Sequence, residues 1–152
     1  RLASAMPTLL DRLEGLPQGL SHGDAAPDNF LEGGEGAVVA IDWSYASLAP
    51  IGSDLGQLVA GCVEVEDRTA SETLELIDSV IEAFLEGLTG VGHDVDPLSV
   101  KEACATYLAT RFVFSALLSD APETGGTGAH VEVMRRRATL GRVGLDLALA
   151  LL

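Results

Sequence analysis

The 152-residue chain carries 23 Asp and Glu against 9 Lys and Arg, a formal net charge of −14, and 47% of its residues are hydrophobic. That hydrophobic content excludes a disordered chain and predicts one domain, residues 1–152, able to bury roughly two-thirds of its unfolded surface. The acidity argues against nucleic acid or an anionic membrane as partner and makes a cationic ligand easier to accommodate, although solubility alone accounts for such a charge.

In chain order, Leu2, Met6, Leu9, Leu10 and Leu13 recur at helical spacing, with Arg12 and Glu14 outside the stripe, so residues 1 to about 16 form an amphipathic helix ended by Gly15, Pro17 and Gly19. Phe30–Glu32 and Ala37–Ile41 flank the glycine-rich run 33–36 and predict a β-hairpin. From Ser53 the pattern is helical. Leu55, Leu58, Val59 and Cys62 make one apolar stripe, and Leu74, Ile77, Ile81, Phe84, Leu85 and Leu88 a longer one, with acidic faces opposite. Asp96-Pro97 is a helix start, cap then proline, and that helix runs to about Leu118, burying Leu108, Phe112 and Ser115 or their neighbours, with Arg111 as a paired core arginine. Residues 119–128 form a loop in which Gly125-Gly126-Thr127-Gly128 lacks both the Lys-Ser/Thr ending and the preceding strand of a phosphate loop. Arg135-Arg136-Arg137 opens a last helix as a solvated or carboxylate-paired cluster, and His93 and His130 are surface residues. Cys62 and Cys104 lie in apolar helical patterns and read as reduced thiols of a cytoplasmic protein, and no apolar run is long enough to span a membrane.

The chemistry concentrates in Ser21-His22-Gly23-Asp24-Ala25-Ala26-Pro27-Asp28-Asn29-Phe30, followed by Ile41-Asp42-Trp43. An acid, a carboxamide five residues on, and a second acid closing a short apolar run offer two carboxylates and a neutral oxygen ligand. The hairpin places Asn29 at the start of one strand and Asp42 at the end of the other, hence side by side. Carboxylate and carboxamide oxygens suit magnesium. His22 beside two aspartates reads as a metal ligand or a general base. Asp28 reads as a turn residue, Asp54 as a helix cap or a partner of the loop, and Trp43 and Tyr45 either line a substrate pocket or pack behind the loop.

The run His22-Gly23-Asp24, then Asn29, resembles the His-Gly-Asp-x-x-x-x-Asn loop of the aminoglycoside phosphotransferase and choline kinase-like family of small-molecule kinases. Ile41-Asp42-Trp43 is similar to that family's magnesium-binding segment. Ala49-Pro50-Ile51-Gly52-Ser53-Asp54-Leu55 is similar to its Gly-Pro-x-x-x-Asp-Leu stretch, with Ala49 in place of the usual glycine. The resemblance implies an α+β, mostly α-helical fold, the C-terminal lobe of a protein-kinase-like enzyme with a small hairpin carrying the catalytic and metal residues. It implies ATP as co-substrate and Mg2+ as cofactor, Asp24 as the catalytic base facing an alcohol, Asn29 and Asp42 on the metal, and His22, Gly23 and Asp54 positioning the loop, with Trp43 against the substrate. The acceptor is then a small molecule with a hydroxyl group, a cationic one such as an aminoglycoside among the options.

A kinase of that kind also has a lobe with a phosphate-covering loop, a strand lysine and a helix glutamate. Lys101 is the chain's one lysine and lies in a late helix, and the start at Arg1 fits a fragment or processed product. The expectation is therefore a lobe without its N-terminal ATP cradle, inactive in phosphotransfer when alone. The alternatives are a non-catalytic kinase-like binding module and a metal-dependent phosphoesterase built on His22, Asp24, Asp28 and Asp42.

Overall fold

The computed structural model describes residues 2–66, 68–117 and 128–152. The order is α1 (Leu2–Gly15), β1 (Gln18–Ser21), β2 (Phe30–Glu32), β3 (Val38–Ala40), β4 (Ser47–Pro50), α2 (Ser53–Val65), α3 (Ala70–Gly90), α4 (Pro97–Leu117) and α5 (Gly128–Ala150). It is mostly helical with short antiparallel strand pairs, compatible with an α+β fold. The foreseen hairpin is β2–β3, in register Phe30↔Ala40 and Glu32↔Val38. A second pair, β1–β4, was not foreseen, and it joins Gln18 to Pro50 and Ser21 to Ser47. It decides where the loop sits. β1 runs straight into Ser21-His22 and β4 into α2, so their pairing lays the first turn of α2 beside the loop's entry.

Helices α2 to α5 share one core in which Val59, Ile77, Leu108 and Leu140 are fully buried. Each such side chain stabilises by about 1.5–3 kcal/mol, which makes the bundle the rigid base of the molecule. On α5, a Cβ on Gly144 would stand 2.5 Å from the Cβ of Leu108, so only glycine permits that close crossing with α4. α1 docks separately. Leu9 packs with Ala105, Ala109 and Ala148, and the Arg12 guanidinium grips the buried Glu102 carboxylate at 2.5 and 2.7 Å. A paired charge is what permits a carboxylate at that depth.

Two apolar stripes each hold a member that the fold leaves out of the core. Leu10 and Leu74, expected in the core, are 48% and 39% exposed. On α3 the buried place goes to Thr73, whose hydroxyl donates to the Thr69 carbonyl at 2.9 Å and so needs no partner from another element. Thr69 and Glu72 form a reciprocal capping box that fixes where α3 begins. Asp96 caps α4 as expected, accepting from the amides of Leu98 and Ser99. Leu108 and Phe112 are buried, while the side chain of Ser115 lies outside the described residues. Arg111, expected as a paired core arginine, is instead exposed. The arginine run is carboxylate-paired: Arg135 and Arg136 hold Glu132, and Arg137 holds Glu64. His93 is exposed, whereas residues 118–127, with most of the glycine-rich loop, and the side chain of His130 lie outside the described residues.

Candidate functional site

Asp54, in the first turn of α2, organises the loop. Its carboxylate accepts from the Ser21 hydroxyl at 2.8 Å, the His22 amide at 2.7 Å and the Gly23 amide at 3.0 Å. A negative side chain is favoured at a helix N-terminus, and here the same charge holds three consecutive residues of the loop. Of the two readings the sequence left open for Asp54, bonding the loop is the one observed.

Gly23 then turns the chain at φ +78°, and a Cβ there would lie 2.2 Å from the Tyr45 carbonyl oxygen. Both the backbone angle and the space require glycine. His22, 4% exposed, points Nε2 at the Ile41 carbonyl at 2.7 Å. A carbonyl only accepts, so Nε2 carries the proton and Nδ1 is left to receive the Asp24 amide at 3.4 Å. The imidazole lies 4.6 Å from the Trp43 ring and 6.0 Å from the Phe30 ring. With both nitrogens engaged and aromatic rings against it, His22 braces the loop against β3 and is not open to a metal.

Asp24 is half-buried. The Asn29 amide donates to its backbone carbonyl at 2.8 Å and to its Oδ2 at 3.3 Å. Asn29 thereby closes the loop on itself and leaves its side-chain Oδ1 free among the described residues. A short 3₁₀ turn, Pro27–Asn29, makes that return possible, and Asp28 lies exposed within it. The Ile41 amide donates to the Asn29 carbonyl at 2.9 Å, extending the hairpin by one step. Asp42 therefore emerges just beyond the residue opposite Asn29. It sits exposed in the left-handed region, φ 57° and ψ 63°, which aspartate tolerates better than most residues. Its Oδ1 accepts from the Ser44 hydroxyl at 2.7 Å. Trp43 donates from Nε1 to the Ala40 carbonyl and is about half exposed.

Beside Asp24 opens a cleft of about 440 Å³ walled by Gly23, Tyr45, Tyr107 and Arg111. Tyr107 donates to Oε1 of the Gln57 side chain at 2.8 Å, and Gln57 Nε2 donates to Asp24 Oδ1 at 3.4 Å, so α4 and α2 together reach the carboxylate. Burial first, then the nearby carboxylates of Asp54 and Asp24, push the Tyr107 phenol above its ordinary value, against the opposing pull of Arg111. Gln57 and Tyr107 escaped the sequence reading. The only signal was the i, i+4 spacing of Tyr107 and Arg111, which puts two polar groups on one face of a helix. Among the described residues, no three His, Cys, Asp or Glu side chains converge as a metal-binding cluster.

The model of the phosphotransferase enzyme family matches residues 1–91, more than half of the chain. The chain belongs to the phosphotransferase enzyme family. This is the family of aminoglycoside phosphotransferases and choline kinase-like enzymes that the loop resembles. No curated protein and no solved structure matches the chain. The matched residues take in α1, all four strands, α2 and α3 of this phosphotransferase, hence the whole loop and Asp42, while Tyr107 and Arg111 lie beyond them. Among the described residues no helix is long and apolar enough to cross a membrane.

Proposed function

We propose that this phosphotransferase chain is the C-terminal lobe of a kinase-like enzyme that transfers the γ-phosphate of ATP to a hydroxyl group of a small molecule, and that it works in the cytoplasm. The observation that carries this reading is the Asp24 carboxylate at the wall of the cleft, on a loop held by Asp54 and closed by Asn29. In the step proposed, the acceptor hydroxyl sits against Asp24. Its oxygen forms a bond to the γ-phosphorus, the bond from that phosphorus to the bridging oxygen breaks, and the electron pair leaves on the β-phosphate of ADP. The hydroxyl proton passes to Asp24. With a loose transition state, orienting the oxygen in line is the larger part of that residue's task.

The donor set fits magnesium. Asn29 keeps its carboxamide oxygen free and Asp42 has its second carboxylate oxygen free of hydrogen bonds among the described residues, and both are the hard, oxygen-type ligands that ion takes. When bound, magnesium supplies positive charge that offsets the charge of the phosphates. The His22 brace, the Gly23 turn and the Asp54 anchor keep Asp24 and Asn29 in place without it. The phosphate-covering loop, lysine and glutamate of a kinase are assigned to an N-terminal lobe of the parent protein, so the 152-residue chain alone is expected to turn over little or no ATP. Trp43, its ring tilted against that of His22, acts in this reading mainly from behind the loop.

The test is ADP release by the parent protein with ATP, magnesium and a panel of alcohols. Loss of acceptor-dependent turnover by about 10²–10⁴-fold in Asp24→Asn supports the reading. Full activity in that variant, or turnover by the isolated chain that survives Asp24→Ala, overturns it.

A further inference from the structure

The cleft beside Asp24 is walled by a guanidinium as well as a carboxylate. The chain has 9 Lys and Arg against 23 Asp and Glu. Every other described lysine or arginine has a carboxylate within ion-pair distance. Arg111 has none among the described residues, in a protein with acid to spare. It lies where two clefts meet, the one at Asp24 and a neighbour of about 270 Å³ that also touches Gln57 and Glu64. Asp24 and Arg111 both act on the Tyr107 phenol, from opposite electrostatic directions, yet form no ion pair with each other. Glu64, the other acid at this junction, is committed to Arg137 at 2.7 Å.

We propose that the acceptor of this phosphotransferase is an alcohol that also carries an oxyanion, a carboxylate or a phosphate, with its hydroxyl at Asp24 and its oxyanion on Arg111. The proposal rests on the reading of Asp24 given above. A guanidinium presents paired N–H donors matched to two oxygens of either anion, and it is more weakly hydrated than an ammonium, so it suits a half-open cleft. Tyr45 and Tyr107 offer aromatic walls for the carbon skeleton between the two ends. The cleft volume falls in the range that holds a small molecule rather than a macromolecule. A polycationic acceptor finds the opposite of what it needs, since among the described residues Asp24 is the only acid lining this cleft, and Arg111 repels its amines. The bulk charge of −14 therefore misleads about the acceptor. Charge summed over a surface governs solubility and long-range approach, whereas the groups within the cleft select what stays.

The experiment uses the parent protein with ATP and magnesium and a matched set of acceptors: glycerate, glycerol phosphate, glycerol, an aromatic hydroxy acid and an aminoglycoside. ADP release is measured for wild type, Arg111→Met, Arg111→Lys and Asp24→Asn. The expected result is a preference for the anionic acceptors, with Arg111→Met raising their KM by about 10- to 100-fold at nearly unchanged kcat. Arg111→Lys restores part of that loss, and glycerol turnover is indifferent to residue 111. The carboxylate and phosphate arms separate the two oxyanions. Preference for the aminoglycoside, or for glycerol over its acids, overturns the proposal. So does an equal fall of kcat for every acceptor in Arg111→Met, which would place the arginine on the phosphoryl group in transfer. Activity retained in Asp24→Asn sinks the underlying kinase reading, whereas an inactive Asp24→Asn alongside an Arg111→Met that leaves acceptor KM untouched sinks only this inference. Arg111 is exposed, so its variants are expected to melt with the wild type, and thermal unfolding checks that.

Discussion

Removing the Asp54 carboxylate tests the claim that α2 holds the loop. In Asp54→Ala, the Ser21 hydroxyl and the amides of His22 and Gly23 lose their acceptor together. His22 is 4% exposed, so water replaces little of what its amide loses. One hydrogen bond to a charged group contributes about 1.5–3 kcal/mol, and an orphaned buried donor costs about 1–3 kcal/mol. The three bonds share one acceptor and are not additive, which sets the expected loss near 3 kcal/mol. For a domain of this length that corresponds to a fall in Tm of roughly 6–12 °C. Thermal unfolding followed by circular dichroism gives the global figure. Hydrogen exchange at the His22 and Gly23 amides gives the local one, with protection expected to drop by about two orders of magnitude relative to amides in α4. If Tm falls while those two amides keep their protection relative to the core, Asp54 serves only its own helix and the anchoring argument is wrong.

Gly23→Ala is expected to cost at least about 2 kcal/mol, because the new methyl meets the Tyr45 carbonyl and the backbone angle is unfavourable for an L side chain; a urea midpoint equal to wild type would refute this. The Asp96 carboxyl is held below its ordinary value by hydrogen bonds from the Ser99 hydroxyl and amide and the Leu98 amide. A depressed folded value means the stabilisation is present above about pH 4, the unfolded carboxyl's range, and fades as pH falls through the folded one. Asp96→Ala should therefore show a flatter loss of stability between pH 5 and pH 2 than wild type, as read by urea midpoints. The buried Cys104 thiol is pushed up to about 12 by desolvation, whereas Cys62 is only partly covered. At pH 8 a disulfide reagent is expected to titrate Cys62 quickly and Cys104 only as fast as the chain unfolds, an order that Cys62→Ser and Cys104→Ser variants check.

What the sequence made legible was local. The Asp96-Pro97 helix start, the hairpin around its glycine-rich turn and the end of α1 depend on residues within one turn of each other, and they stand where the pattern put them, whereas α5 begins at Gly128, well before the arginine run expected to open it. The β1–β4 pair was hidden, since it joins strands of four residues across a long separation, with Leu20 and Leu48 exposed so that no buried alternation marks them. The stripe of α3 was misjudged at Leu74 because a threonine that satisfies its own hydroxyl within the helix can take a core position from a leucine. Residues 22 to 54 announced themselves as a compact set. Gln57, Tyr107 and Arg111 did not, for their meeting at Asp24 is made by the packing of α4 across α2 and by no spacing in the chain.

The imidazole contact to the Ile41 carbonyl ties together two parts of the molecule with unequal footing. The acid at position 24 is moored to the bundle through α2, whereas β3 presents Val38 and Val39 largely to solvent and is secured chiefly by its neighbour strand. Drift of the ribbon would thus carry residue 42 relative to a stationary residue 24, and that link, together with the Asn29 bonds to Asp24, limits its travel. Strands with so little beneath them can change their side chains at small energetic consequence. The two ends of the phosphoryl-transfer apparatus are in this way free to diverge at different rates, with the histidine as the part that both must respect.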